Sequence, residues 1–591
     1  MASPKQLDEP YDYIIVGGGT AGLVLANRLS ENIKVRVIVI EAGADRTADP
    51  LVLTPGVVPA LYGKDEYDWN FPSVPQLNLN NRRIFQPRGK MLGGSSALNF
   101  MMLVHPNKHI IDGWAELGNH GWDYNSLSPY FRKFPTSHLP SEAAKNVVGL
   151  AYHSDAVTSG DGPVQVSFSE GYGPTNKAWF DTFAELGLDL KTDDPRDGEA
   201  VGAFQNPATI DPATKTRSFA ASAYLTPEVL KRPNLVVMTE TLVSKVVFDT
   251  SSEDEEPVAV GVEVVTKEGE KKAIKAAREV ILCAGALQSP QILELSGIGD
   301  RKILDKYGIP VVAGNPNVGE GAQDHPIVLQ SFEVADGVQS GDMLRDPALM
   351  QALMEIYQTT RDGPLGQSNI SSAYIPMVND LGVLPMDDRK TLFESHSSSL
   401  TSKSHGIQRA ALEQEKGTPA FQYILFQTQA NIPENPTCLT DFLVPVSEGN
   451  FISPGPKIEW DPKFNDNPLD EEILVGGVQF VEKIIAPGTA LGKLLKPGGR
   501  RLPGMVADSH EKARDIIRQR LVSLFHVSGT CAMLPRENGG VVDSRLRVYG
   551  VKGLRVVDAS VFPLEPSGNI QSVVYAVAER AADLIKADLD M

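Results

Sequence analysis

Near its start the chain carries a short apolar run, Tyr13-Ile14-Ile15-Val16, followed by a glycine-rich turn. Beyond the turn Leu23, Ala26 and Leu29 fall on one face of a helix, so the pattern predicts strand, turn and helix. The next apolar run, Val35-Arg36-Val37-Ile38-Val39-Ile40, reads as a second strand of the same buried kind. Two distant segments repeat the logic of a parallel strand leading into a turn, Glu279 to Ala286 and Leu554 to Ala559. After the first of these, Ser289-Pro290 reads as the N-cap and first residue of a short helix that Gly297 closes. Leu242 to Phe248 and Ala259 to Val265 read as a hairpin-like pair, with the acidic run between them as a solvated turn. At the far end Ile570, Val573, Val574, Val577, Ala581, Leu584 and Ile585 keep helical spacing, which predicts a long final helix opening just beyond Gly568. Segments rich in Gly, Pro, Ser and Asp near 153–175, 190–216, 360–420 and 485–508 read as surface connections or insertions. The class is α/β, with one sheet assembled from distant pieces.

The glycines of the first turn add chemistry. They fall as G-x-G-x-x-G across Gly17, Gly19 and Gly22, with Thr20 and Ala21 between. Such a turn lets backbone N–H groups and a helix N-terminus face a pyrophosphate with no side chain in the way. The second strand ends in Glu41, about 20 residues on, where an acid can accept from a ribose hydroxyl. A dinucleotide site follows; its identity does not.

Charge and composition narrow the partners. The 591 residues carry a net charge of −19, which disfavours nucleic acid and anionic membrane surfaces. No apolar run approaches the roughly 20 residues of a membrane span. The first twelve residues lack the apolar stretch of a secretory signal, so a cytoplasmic protein is expected. Cys283, Cys438 and Cys531 lie far apart without C-x-x-C spacing, so neither a disulfide framework nor a metal site is expected. Oligomeric state stays open.

Three further segments stand out: Arg88 to Asn99, rich in glycine; His526-Val527-Ser528-Gly529-Thr530-Cys531; and Ser567-Gly568-Asn569-Ile570-Gln571 at the mouth of the last helix. Taken singly, each has an ordinary structural explanation: a loop, a packed histidine, an Asn helix cap. Together they resemble the glucose–methanol–choline (GMC) family of FAD-dependent oxidoreductases. Gly89 to Ser96 resembles its first signature and Gly285 to Gly299 its second. Asn317-Val318-Gly319-Glu320 with Gln323-Asp324-His325-Pro326, then His526 to Met533, Gly540 to Asp543 and Arg555 to Ser560, resemble further blocks in family order. Val444 to Gly449 is a weak match to a family strand-turn.

The resemblance implies a discontinuous Rossmann-like FAD-binding domain, residues 1–158, 216–318 and 518–591. It also implies an α+β substrate domain with an antiparallel sheet, residues 159–215 and 319–517. By it Gly17, Gly19, Thr20, Ala21 and Gly22 would hold the pyrophosphate, Glu41 the ribose, and the backbone of Val243 the adenine. Gly94 and Asn99 would lie along the flavin, Asp558 and Ala559 by the ribityl–phosphate portion, and Asn569, Ile570 and Gln571 near the ring. Leu98 stands where some relatives carry a flavin-linked histidine, so noncovalent FAD is expected. Asn569 stands where other relatives have a second histidine, or an arginine in a formate-oxidising branch, which argues against formate. The implied reaction is hydride transfer from a primary or secondary alcohol to the flavin, with O2 or another acceptor downstream. His526 would be the base, since an imidazole titrates near working pH. Asn569 would donate to the alkoxide, and Phe525 would wall the substrate side. A non-redox lyase or cyclase with structural FAD is the alternative.

Overall fold

The strand Tyr11–Val16 is buried along nearly its whole length at the centre of a mixed sheet in the computed structural model. The structure describes residues 9–148, 160–190, 196–251, 256–414, 418–427, 458 and 460–589. Val37–Ile40 pairs with the opening strand in parallel, Ile14 opposite Ile38, and Lys271–Leu282 flanks its other side, Ile281 opposite Ile15. Leu235–Met238, which the apolar pattern did not single out, extends the sheet beyond Val37–Ile40. Leu554–Val556 joins it at the last residues of Lys271–Leu282. The first residues of that long strand instead pair antiparallel with Val258–Thr266, which forms with Thr241–Asp249 the expected hairpin. The turn between those two strands falls partly outside the described residues, as do Cys438 and the Val444 to Gly449 block.

Helix Thr20–Leu29 covers one face of this sheet, and the final helix, Gln571–Leu589, packs against it. Val573, Val577, Ala581 and Ile585 are buried, as their spacing predicted. A fully buried carboxylate locks the two helices: Glu579 accepts from Arg28 Nη2 at 2.8 Å, Lys133 Nζ at 3.1 Å and the Tyr224 hydroxyl at 2.8 Å. The mouth of the final helix is thereby held over the sheet.

Two local expectations are corrected. Ser289 and Pro290 do not open their helix; they lie inside Gly285–Leu295. Pro290 lacks the N–H that would bond the carbonyl of Ala286, and the Thr530 hydroxyl takes that carbonyl at 2.5 Å. Ser289 Oγ donates to Asp558 at 2.6 Å. The segments 190–216 and 360–420 are not only surface connections. Gly202–Gln205 and Ser371–Ile375 are buried strands of a three-stranded antiparallel sheet completed by Phe421–Leu425, with Ser371–Ile375 in the middle. Their polar residues are buried because they bond one another: Ser371 Oγ donates to Gln205 Oε1 at 2.7 Å, and Asn206 Nδ2 donates to Ser372 Oγ at 2.8 Å. This second sheet belongs to the substrate side of the molecule. Among the described residues no helix is long and apolar enough to cross a membrane.

Candidate active site

The glycine turn is shaped by close backbone approach. A Cβ at Gly22 would sit 2.0 Å from the carbonyl oxygen of Gly17. One at Gly94, where φ is +51°, would sit 2.7 Å from the Cα of Gly19. The two glycine segments can therefore touch only as glycines. Helix Thr20–Leu29 starts with no side-chain cap and no acid in its first turn, which leaves its N-terminal N–H groups and dipole to an anion.

These segments border a cavity of about 1470 Å³. Its wall includes Gly17, Gly19, Thr20, Ala21, Glu41, Gly94, Asn99, Val243, Phe525, His526, Asp558, Ala559, Asn569, Ile570 and Gln571. Of the residues predicted for the site only Gly22 is off the wall; it lies behind the carbonyl of Gly17. Leu98 lines the same cavity and is buried. Small-molecule pockets usually measure about 300–1,000 Å³, so this one has room for a dinucleotide and a substrate.

Each predicted holder has a defined neighbour set. Glu41 accepts from the backbone of Gly18 and of Gly43, both at 2.8 Å, and burial still pushes its carboxyl up to about 7. Asp558 accepts from Gly285 N at 2.9 Å and Ser560 N at 2.8 Å, so it also clamps the start of helix Gly285–Leu295. Asn99 Oδ1 accepts from the buried Arg217 at 3.0 Å, and Asn99 Nδ2 donates to Gln571 Oε1. Gln571 Nε2 is buried without a hydrogen-bond partner among the described residues, a donor that a flavin carbonyl would satisfy.

His526 and Asn569 lie together. Asn569 Nδ2 stands 3.2 Å from His526 Nε2, and Asn569 Oδ1 accepts from Gln422 Nε2 at 3.3 Å. Asn569 is therefore not a helix cap; the final helix begins two residues later. Gln422, on the antiparallel sheet, was not foreseen from sequence. His526 is buried, and its backbone N–H donates to Asp324 Oδ1 at 2.9 Å. Its second ring nitrogen, Nδ1, meets His325 Nδ1 at 3.0 Å. Burial, with His325 and Arg88 nearby, holds the His526 imidazole well below its ordinary 6.5. The ring is thus neutral at neutral pH, as a base must be.

Phe525 takes φ +67°, a left-handed conformation that a bulky residue adopts at a cost of about 1–3 kcal/mol. Its ring packs 5.9 Å from that of Tyr62; Tyr62 lies 5.8 Å from Phe100, and Phe100 5.8 Å from Phe426. These four rings border the same cavity as His526. Tyr62, Phe100 and Phe426 carry no motif of their own, and pairwise ring contacts across distant segments leave no signal in a single sequence. His325 did leave one, inside the Gln323-Asp324-His325-Pro326 block, but no role was read from it.

The fold and the cavity fit a dinucleotide-binding enzyme, and comparison with known proteins supplies the class, a flavin-dependent oxidoreductase. Residues 11–327 and 451–578 match GMC oxidoreductase. Dehydrogenase citC of Monascus ruber is 36% identical over 629 residues, covering 100% of this chain and 98% of its own. The structure is similar to an FAD-dependent oxidoreductase from Chaetomium thermophilum, with a TM-score of 0.82, 28% identity and 98% and 100% of the two chains covered. A fungal aryl-alcohol oxidase superposes with a TM-score of 0.81, 25% identity and the same coverage. The chain belongs to the FAD-dependent GMC oxidoreductase family.

Proposed function

We propose that this protein oxidises an apolar, ring-bearing primary or secondary alcohol, using His526 as base, Asn569 as hydrogen-bond donor and noncovalently held FAD. The observation that carries the reading is the acceptor–donor pair on the cavity wall, His526 Nε2 and Asn569 Nδ2 at 3.2 Å. A hydroxyl that displaces this contact and faces both atoms gives its proton to Nε2 and accepts from Nδ2, which steadies the alkoxide as it forms. Bound FAD supplies the acceptor for the hydride. The cradle of Gly17 to Gly22 would hold its phosphates, Glu41 its ribose, and Asn99 and Gln571 its ring. Leu98 offers only hydrocarbon to the cavity. The rings of Tyr62, Phe100, Phe426 and Phe525 favour an aromatic or otherwise flat substrate.

The test is anaerobic mixing of the flavin-loaded enzyme with benzylic and aliphatic alcohols, followed by readmission of air. Benzylic alcohols should bleach the visible flavin band, with bleaching slowed about 10²–10⁴-fold in H526A. Acid precipitation should release the flavin into solution. Absence of bleaching by every alcohol defeats the reading. A product isomeric with its substrate, formed without bleaching, would replace it with lyase or cyclase chemistry. Peroxide on readmission of air identifies an oxidase; its absence, with turnover on an artificial acceptor, identifies a dehydrogenase.

A further inference from the structure

Behind the His526–Asn569 pair lie two titratable groups that the reaction just described does not use. Strand Pro326–Val328 pairs antiparallel with Leu521–Ser523, Pro326 opposite Ser523, and this register brings His325 beside His526. Leu524 N donates to the His325 carbonyl at 2.9 Å, which fixes the approach. The two imidazoles meet edge to face, centroids 5.2 Å apart at 89°, with their Nδ1 atoms at 3.0 Å. Glu565, six residues before the final helix, is held by its own N–H donating to Gln323 Oε1 at 2.9 Å and by the Ser528 hydroxyl donating to Oε2. Its other oxygen, Oε1, is buried without a hydrogen-bond partner among the described residues and stands 3.5 Å from His325 Nδ1.

The hydrogen-bond directions constrain where protons sit. Asn569 Oδ1 accepts from Gln422, so its Nδ2 must be the donor toward His526 Nε2. Nε2 is then free of a proton, and a neutral ring carries its single proton on Nδ1. Two Nδ1 atoms 3.0 Å apart share only one proton, so His325 accepts there and keeps its own proton on Nε2.

We propose that His325 and Glu565 form a proton relay behind His526, with His325 also holding the base in its reactive tautomer. The relay rests on the alcohol reading; the tautomer does not. The hydroxyl O–H bond breaks and an N–H bond forms at His526 Nε2. The proton on His526 Nδ1 passes to His325 Nδ1, which leaves His526 neutral. Glu565, in its ionised form, then takes the proton from His325 Nδ1 onto Oε1. No electrons move in these transfers. The transfer between the two histidines runs along a contact already made; the last needs a small turn of the His325 ring that closes the 3.5 Å gap between its Nδ1 and Glu565 Oε1.

The surroundings favour this direction of travel. Burial lowers His325 to about 4, so it passes a proton on rather than storing it. Burial and the nearby Asp324 raise the proton affinity of Glu565 well above the ordinary carboxylate range, while Ser528 and Arg88 pull the other way. His325 and Glu565 also border a second cavity that His526 does not reach, which gives the proton a way out that avoids the substrate. The same three side chains bring one ligand atom each within 4.8 Å of one another, so a bound metal is the competing explanation.

Enzyme purified with its flavin and labelled with 15N at histidine tests the pair without any substrate. His526 should show a protonated Nδ1 and a bare Nε2, and E565Q should move the His325 signals while flavin absorbance stays unchanged. With an alcohol that bleaches the flavin, E565Q and H325Q should each slow the limiting rate about tenfold while half-saturation shifts less than about twofold. Free imidazole should restore part of the rate of H325A. A proton on His526 Nε2 overturns the proposal, as do wild-type rates in both variants or a stoichiometric metal whose removal by chelator abolishes the His325 shift. Failure of every alcohol to bleach the wild-type flavin overturns the alcohol reading and the relay with it. In that case the 15N spectrum still decides the tautomer.

Discussion

Replacing Gly94 by alanine tests the contact between the two glycine segments. The new Cβ would lie 2.7 Å from the Cα of Gly19, at a position where φ is +51°. Carbon atoms rest about 3.5–4.0 Å apart, so the segments must part by about 1 Å. Overpacking of this kind costs about 1–3 kcal/mol. A left-handed alanine adds about 1–2 kcal/mol. The first cost falls on the cradle itself. At about 1.4 kcal/mol per tenfold it predicts FAD binding weakened about 5- to 150-fold. Gly308→Ala is the control: its φ is +67°, its Cβ would meet nothing within 4 Å, and it is absent from the cavity wall. It carries the backbone cost without the clash. Titration of each apoprotein with FAD, followed by flavin fluorescence, separates the two. If G94A binds FAD within about twofold of G308A, the contact between the segments is not what shapes the cradle.

Two other perturbations follow from the charges around the site. Arg88 helps hold the His526 imidazole low, so R88Q should raise its pKa, and because the base acts when neutral, the acid limb of flavin reduction should move to higher pH; stopped-flow rates across pH check this, and a limb that stays or moves lower refutes it. E579A removes a fully buried carboxylate and leaves the buried Tyr224 hydroxyl without its acceptor, while Arg28 keeps Glu31 and Lys133 keeps Asp583, so a loss of about 1–3 kcal/mol is expected; an unchanged urea midpoint would contradict the locking role of Glu579.

The local elements of the dinucleotide fold were legible from sequence because each is made by neighbours along the chain. Tyr11–Val16, the glycine turn and Thr20–Leu29 follow from a short apolar run, residues without Cβ and a helical stripe. The same holds for the final helix and for the hairpin of Thr241–Asp249 and Val258–Thr266. Those signals pointed to Gly17 to Gly22 and to Glu41; Gly94, Asn99, Val243, Asp558, Ala559, Ile570 and Gln571 were legible only through the family resemblance.

What the sequence could not determine by itself depends on partners far along the chain. Ser371–Ile375 looked like a connection because its first residues are polar; Gln205 and Asn176 at Ser371, and Asn206 and Gln422 at Ser372, make those hydroxyls cheap to bury. Pro290 looked like a helix start because Ser and Pro favour the N-cap and first helical positions; inside the helix it strands the carbonyl of Ala286, and Thr530, 244 residues away, takes it. His526 and Asn569 were legible as a pair through family resemblance, but their geometry was not. His325 meets His526 across 201 residues through one strand register, and the buried Oε1 of Glu565 has meaning only beside them. Periodicity and spacing carry short-range information, which is enough for strands, turns and helices. Where protons can go is settled by hydrogen bonds between distant segments, and those exist only once the chain has folded.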